Sequence, residues 1–213
     1  MIFHQIDAGG DRNFAYLMGD ADGGEAALFD PPPDPAAYLA LLEKHRLGVS
    51  YIVVTHGHGD HTWGVDEAKR RTRARVVAHA DCPVDADIRP GDGDTLRLGS
   101  LTLAFIHTPG HTADSMCILC GDKLVTGDTL FVGKVGGTDV GDEARAEYES
   151  LHRKVMTLDD AVEVYPGHNY GVRPSSTIGD ERRTNPFLLR ETFESFVDLK
   201  IHWLAYKREH GIL

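Results

Sequence analysis

The sequence is poor in cysteine, in basic charge and in long apolar runs. Three cysteines among 213 residues are too few for a disulfide framework. The 22 basic residues are outnumbered by 33 acidic ones, and the resulting net charge of -11 repels phosphodiester backbones and anionic membranes. These shortages exclude a small disulfide-stapled scaffold and disfavour a general nucleic-acid-binding protein.

No stretch approaches the roughly 20 apolar residues that span a bilayer, and Met1–Gln5 lacks the basic-then-apolar pattern of an export signal. We therefore expect a cytoplasmic protein without a membrane partner. The length favours one domain over residues 1–213, with a short helical C-terminal extension over 185–213. The oligomeric state stays open, a homodimer included.

Two local features have competing interpretations. The basic run Lys69–Arg75 fits a nuclease, but it fits better the solvated face of a helix. Cys117 and Cys120 are spaced as Cys-x-x-Cys in a predicted strand, where positions three apart point to opposite faces. We therefore expect ordinary thiols there and not a redox or zinc pair.

The richest stretch is Thr55–Gly64, a Gly-broken loop that directly follows the apolar run Tyr51–Val54. The run predicts a buried strand, and alternate residues of an extended chain leave it on the same side. Imidazoles and carboxylates are the ligands that zinc and iron accept. Four such residues lie within six positions: His56, His58, Asp60 and His61. The loop therefore predicts a metal site, with two adjacent ions favoured over one.

Three more motifs follow in order: Thr-Pro-Gly-His-Thr at 108–112, Thr-Gly-Asp-Thr-Leu-Phe at 126–131 and Tyr-Pro-Gly-His at 165–168. Together with His-x-His-x-Asp-His at 56–61, they resemble the signature of the metallo-β-lactamase-fold superfamily. Within it, the chain resembles above all the glyoxalase II-type thioester hydrolases and the persulfide dioxygenases. The resemblance implies an α/β fold, an αββα sandwich of two mixed sheets between helical layers.

The same resemblance assigns a ligand set. One ion would be held by His56, His58 and His111, and a second by Asp60, His61 and His168. Asp128 would bridge them, because one carboxylate can hold two cations about 3.5 Å apart, and Asp30 would support the site from behind. We expect Asp60 and Asp128 to be catalytic as well as ligating. The expected cofactors are two divalent ions, zinc first, with iron or manganese as alternatives.

Such a site favours hydrolysis of a thioester. Two cations lower the pKa of a shared water toward about 7, which gives a metal-bound hydroxide without a separate base. A thiolate, with a thiol pKa of about 8.5, departs without strong acid assistance. The ligands alone do not separate thioesters from lactones, phosphodiesters or lactams.

Residues that meet glutathione in the thioester hydrolases have similar counterparts here. They are Tyr170, the segment Asn185-Pro186-Phe187, Arg190 and, displaced within a Gly-rich loop, Lys134. The expected partner is therefore a small thiol-derived substrate such as a glutathione conjugate, and no nucleic acid. The plainer interpretation makes Tyr170 a packed ring and Arg190 a surface charge.

The rival function is a persulfide dioxygenase. For such an enzyme, the resemblance implies that His56, His111 and Asp128 bind one Fe(II). Three ligands leave open positions on the iron for O2 and glutathione persulfide. Three segments look like that group: 1–5, 137–139 and 176–181. The Asn185-Pro186-Phe187 segment and the absence of an apolar, Pro-rich tail favour the hydrolase. A non-catalytic binding module would be expected to have lost ligands, and all seven are present.

Patterning predicts strands over 3–7, 13–18, 26–30 and 75–79, and a hairpin over 95–106. Asp34 should cap a helix whose first residue is Pro35. A longer helix is predicted from Glu143 to Leu158, a polar excursion over 171–183, and a new helix from Asn185-Pro186.

Overall fold

The computed structural model describes residues 1–211, which form two β-sheets flanked by helices. The first sheet contains β1 (Ile2–Gly9), β2 (Asn13–Gly19), β3 (Glu25–Phe29), β4 (Gly48–Val53) and β5 (Arg75–Val77). The second contains β6 (Thr95–Leu98), β7 (Leu101–His107), β8 (Met116–Cys120), β9 (Lys123–Gly127), β12 (Glu163–Pro166) and β13 (Ser176–Thr177). Between β9 and β12 in the sequence, β10 (Leu130–Phe131) and β11 (Lys134–Val135) form a small hairpin. The helices are α1 (Ala36–His45), α2 (Gly59–Thr62), α3 (Val65–Thr72), α4 (Asp142–Arg153), α5 (Ile178–Thr184) and α6 (Phe193–His210).

Both sheets are mixed. In the first, of order β1-β2-β3-β4-β5, the pairs around β4 are parallel and the others antiparallel. In the second, of order β13-β12-β9-β8-β7-β6, only β9 and β12 run parallel. Because parallel neighbours end at the same edge of a sheet, β9 and β12 deliver the residues that follow them to one place.

Three apolar clusters hold the layers together. The first packs the outer face of the first sheet against α1 and α3, through residues such as Leu28, Leu42 and Ala68. The second fills the space between the sheets, with Phe29 and Phe105 among its fully buried members. The third joins the second sheet to α4 and α6. The predicted αββα sandwich is therefore confirmed, because side chains alternate between two covered faces of each sheet.

Several predicted boundaries are wrong. The helix predicted to Leu158 ends at Arg153, and a separate 3-10 turn follows over Val155–Thr157. Pro35 is the N-cap of α1 and not its first residue, although the Asp34 carboxylate does accept from the Ala36 N–H at 3.0 Å.

The C-terminal third differs most from the prediction. The excursion over 171–183 contains β13 and most of α5. No helix begins at Asn185; the buried Asn185 side chain instead donates to Glu181 at 2.9 Å, and α6 starts at Phe193 behind a Thr192 capping box. The strand predicted over 75–79 ends at Val77.

Two other expectations hold. Cys117 belongs to the helix-covered cluster and Cys120 to the cluster between the sheets, so they lie on opposite faces of β8 as free thiols. The first part of the basic run lies on α3, where Arg71 pairs with Glu67 at 2.7 Å and Lys69 with Asp87 at 3.3 Å, whereas Arg73 caps the helix and Arg75 starts β5. Within residues 1–211, no helix combines the length and apolarity needed to cross a bilayer.

Candidate metal centre

The candidate centre lies where four strands end. The Thr55–Gly64 loop follows β4, the His111 turn follows β7, Asp128 follows β9 and His168 follows β12. These elements belong to both sheets, so the centre sits on the edge where the two sheets meet.

One group consists of His56, His58 and His111. The His58 Nδ1 atom lies 3.1 Å from His56 Nε2 and 3.0 Å from His111 Nε2. His56 is 1% exposed, whereas His58 is open to solvent. Three imidazole nitrogens therefore converge on one point with access from one side.

A second group consists of Asp60, His61 and His168. The His61 and His168 Nε2 atoms are 3.2 Å apart, and Asp60 Oδ2 lies 3.4 Å from His168 Nε2. In each group, the ligand atoms lie within 4.8 Å of one another.

Asp128 connects the groups. Its Oδ1 lies 3.4 Å from His61 Nε2, and its Oδ2 lies 3.5 Å from His111 Nε2 and 3.3 Å from His168 Nε2. The structure thus brings together all seven ligands predicted from the sequence.

The donor set fits a cation. Asp128 Oδ1 is buried and has no hydrogen-bond partner among the described residues, a state that costs free energy unless a charge offsets it. Gly167 presses against the same atom, since a Cβ there would lie 2.3 Å from Asp128 Oδ1. The cluster is therefore able to bind metal, through imidazoles and carboxylates that suit zinc or iron.

Asp30 anchors the centre from behind. It accepts from Thr55 N at 2.8 Å, from Thr55 Oγ1 at 2.6 Å and from His61 Nδ1 at 2.9 Å. Its backbone is in the left-handed region, with φ of 43°, which aspartate tolerates better than most residues. Asp30 therefore lies behind His61, and its predicted support of a metal site stays a prediction.

Three further supports were not predicted. His111 Nδ1 donates to Gly137 O at 2.8 Å, His168 Nδ1 to Asp11 O at 2.9 Å, and Asn13 Nδ2 to Asp60 Oδ2 at 2.8 Å. Such bonds fix the ring orientation and leave Nε2 of each histidine free to ligate. Two of the acceptors are backbone carbonyls, whose positions cannot be read from residue type, and Asn13 is the first residue of a strand, where nothing in the sequence marks it as a support.

The charges of the centre are mutually dependent. Burial lowers the pKa of His61, but the Asp30 hydrogen bond and nearby carboxylates outweigh it and raise the pKa to about 9. Burial, with the neighbouring His61, holds the pKa of His56 well below its usual range. The carboxylates thus favour positive charge at the Asp30 side, and a metal ion would compete with a proton there.

His107 lies outside the centre. It stacks on His79 with ring centroids 4.0 Å apart and bonds to Ala113 O at 2.8 Å.

A cleft of about 940 Å³ adjoins the centre. Tyr170 forms the shared wall, because its ring stacks on His168 at 4.6 Å and also lines the cleft. Lys134 Nζ lies 4.1 Å from the centre of the Tyr170 ring, and burial, with Lys207 nearby, lowers the pKa of this lysine. The cleft has four cationic side chains, from Arg12, Lys134, Arg173 and Lys207.

The remaining predicted substrate residues are placed differently. Asn185 donates to Lys134 O at 3.2 Å from within the core, so it supports the cleft wall without lining it. Arg190 also does not line the cleft; its guanidinium lies 5.9 Å from the ring centre of Tyr206, which does. Its predicted contact with substrate stays a prediction. Tyr206, Lys207 and Arg12, which do line the cleft, carried no recognisable sequence signal.

Comparison with known proteins extends these observations. A family model described as the metallo-beta-lactamase superfamily matches residues 8–81 and 83–168. A hydroxyacylglutathione hydrolase of Anaeromyxobacter dehalogenans is 34% identical, over 88% of this chain and 86% of that protein. The mitochondrial persulfide dioxygenase ETHE1 of Mus musculus is 33% identical, over 82% of this chain and 71% of that protein. The crystal structure of ETHE1 from Myxococcus xanthus superposes with a TM-score of 0.88 at 34% identity, covering 95% of this chain and 91% of that one.

Proposed function

This chain belongs to the metallo-beta-lactamase superfamily, and from its site we propose that it is a metal-dependent hydrolase of glutathione thioesters. The observation that carries the proposal is the second ligand group. His61, His168 and Asp60 each have a hydrogen-bond partner of their own, at 2.9, 2.9 and 2.8 Å. A two-ion hydrolase needs that degree of order at the second position, whereas an enzyme with one iron on His56, His111 and Asp128 does not.

Two divalent ions, zinc first, would lower the pKa of a shared water molecule and polarise the substrate carbonyl. The residues of the chain would hold the ions and orient the substrate. His56, His58 and His111 would hold the first position, while Asp128 faces both groups and fixes their separation. The exposed side of His58 gives the substrate carbonyl its approach.

The adjoining cleft supports an anionic thiol carrier. Its acidic lining residue, Glu181, is 1% exposed and already accepts from Gly133 N and Asn185 Nδ2, each at 2.9 Å. Arg173 pairs with Asp180 at 2.9 Å and Arg12 lies 3.8 Å from Asp11, so Lys134 and Lys207 are the cations left to face the ligand. Glutathione carries two carboxylates, so a cationic cleft beside the ions would bind its peptide against Tyr170 and Lys134 and leave the acyl-sulfur bond at the centre.

A persulfide dioxygenase is the second candidate. The observation that favours it is the close superposition with ETHE1 from Myxococcus xanthus, over 95% of this chain and 91% of that one. The residues of that reaction would be His56, His111 and Asp128: the ring centres of the two histidines are 5.1 Å apart, and Asp128 Oδ2 lies 3.5 Å from His111 Nε2.

One experiment separates the two reactions. Protein purified without added metal is analysed for metal per chain, then given a hydroxyacylglutathione thioester and, separately, glutathione persulfide in an oxygen electrode. We expect close to two ions per chain, thioester cleavage and no oxygen uptake. Near one iron per chain with persulfide-dependent oxygen uptake would overturn the hydrolase and establish the dioxygenase.

The cleft gives a further prediction. We expect Lys134→Met to raise KM for the glutathione substrate roughly tenfold or more, because a hydrogen bond to a charged group contributes about 1.5–3 kcal/mol, while kcat changes little. Steady-state kinetics measure both constants. Lys123→Met is the matched control, since Lys123 starts β9 and pairs with Glu163 at 2.8 Å. Equal KM values for the two variants would remove Lys134 from substrate binding.

A further inference from the structure

A buried ion pair joins α4 to α6 behind the metal centre. Glu147 is 1% exposed, and its Oε2 lies 2.6 Å from Nζ of Lys200, whose side chain is 8% exposed. The aromatic rings of Phe187 and Phe196 flank the ammonium group at 5.9 and 5.4 Å. Neither charge lines the cleft or belongs to either ligand group.

Hydrogen bonds connect this ion pair to one of the predicted metal ligands, His111. Lys200 Nζ also donates to Gly136 O at 2.8 Å, and the next residue, Gly137, accepts from His111 Nδ1 at 2.8 Å. Three consecutive contacts therefore lead from Glu147 to the imidazole of His111. That imidazole has no other hydrogen bond on its Nδ1 side among the described residues.

The backbone around this path has no free space. A Cβ at Gly136 would lie 2.2 Å from Asp128 O and 3.0 Å from His111 Cβ. A Cβ at Gly110 would lie 2.4 Å from Glu147 Cβ. Gly136 thus touches the turns that carry His111 and Asp128, and the His111 turn touches α4 at Gly110.

Stability alone does not explain two charges in this position. Removing an ion pair from water costs several kcal/mol per ion, and well-packed apolar residues in its place are often neutral or stabilising. We infer that Glu147 and Lys200 are positioning residues, which hold the 136–137 turn so that His111 presents Nε2 to the first metal position. The inference rests on the proposed metal site and is independent of the reaction performed there.

The test replaces the pair without leaving a lone charge. Glu147→Leu/Lys200→Met is expected to fold with a thermal midpoint at or above that of the wild type. Its dissociation constant for Zn²⁺, measured by chelator competition, should rise about 10- to 100-fold, the usual effect of losing a group that orients a ligand. With substrate, kcat should fall while KM is unchanged.

A single variant provides the rescue. Glu147→Gln keeps the size and an oxygen that accepts from Lys200, so we expect Zn²⁺ affinity within about threefold of the wild type, although the loss of the countercharge should lower the thermal midpoint. The double variant Lys123→Met/Glu163→Leu, which removes the pair at the far end of β9, is the control for loss of any ion pair. Wild-type Zn²⁺ affinity in a folded Glu147→Leu/Lys200→Met protein would refute the positioning role. So would a Glu147→Gln protein that binds Zn²⁺ as weakly as Glu147→Leu/Lys200→Met.

A metal-free measurement keeps this inference separate from the proposed function. In ¹⁵N-labelled apoprotein, the Nδ1 proton of His111 should exchange slowly in the wild type and rapidly in Glu147→Leu/Lys200→Met. If the wild type binds no Zn²⁺ but the two proteins differ in this exchange rate, the metal site is refuted and the positioning role of Glu147 and Lys200 stands. Equal exchange rates in both proteins would refute the positioning role of Glu147 and Lys200.

Discussion

Asp128→Ala is expected to abolish both metal retention and turnover, whichever of the two reactions the protein performs. Asp128 contacts both ligand groups, with oxygens 3.4 Å from His61 Nε2 and 3.5 Å from His111 Nε2. Its removal leaves neither position with a full ligand set. Loss of several kcal/mol of charge stabilisation corresponds to a rate lower by roughly a thousandfold, at about 1.4 kcal/mol for each factor of ten.

The measurement pairs elemental analysis with kinetics on the same preparation. Asp122→Ala is the matched control, because Asp122 precedes the same strand at its opposite end and its side chain is 61% exposed. The control should retain its metal and its rate. If Asp128→Ala keeps wild-type metal content and turnover, the proposed centre is wrong as a whole.

The sequence predicted which side chains converge because its information is local. His56, His58, Asp60 and His61 lie within six residues, and a strand that ends in a Gly-broken loop restricts where they can point. The more distant ligands were assigned through short motifs around a turn, and β9 and β12 bring two of them together because parallel strands end at the same edge.

What supports the centre could not be predicted in the same way. The acceptors of His111 and His168 are backbone oxygens of Gly137 and Asp11, whose positions depend on the folded turns and not on residue type. The partnership of Glu147 with Lys200 joins two helices, and each residue taken alone matches an ordinary solvent-exposed helix position.

The missed helix boundaries have the same origin. The periodicity from Glu143 to Leu158 is unbroken by Gly or Pro, yet Lys154 leaves the helical region, with φ of -122° and ψ of -65°. Its Nζ donates to His107 O at 2.7 Å and pairs with Asp92 at 2.8 Å. Tertiary contacts thus override a local preference that is worth only tenths of a kcal/mol per residue.

His168→Ala should tell the two reactions apart by the size of the loss. His168 belongs only to the second ligand group, 3.2 Å from His61 and 3.4 Å from Asp60. A two-ion hydrolase would lose its second ion and several kcal/mol of stabilisation, so we expect thioester cleavage to fall about a hundredfold or more, with metal content near one ion per chain. His107→Ala, which removes an imidazole outside the centre, should leave both values unchanged. A His168→Ala protein that keeps its full metal content and most of its rate would instead fit a single iron on His56, His111 and Asp128, since those three side chains are untouched by the change.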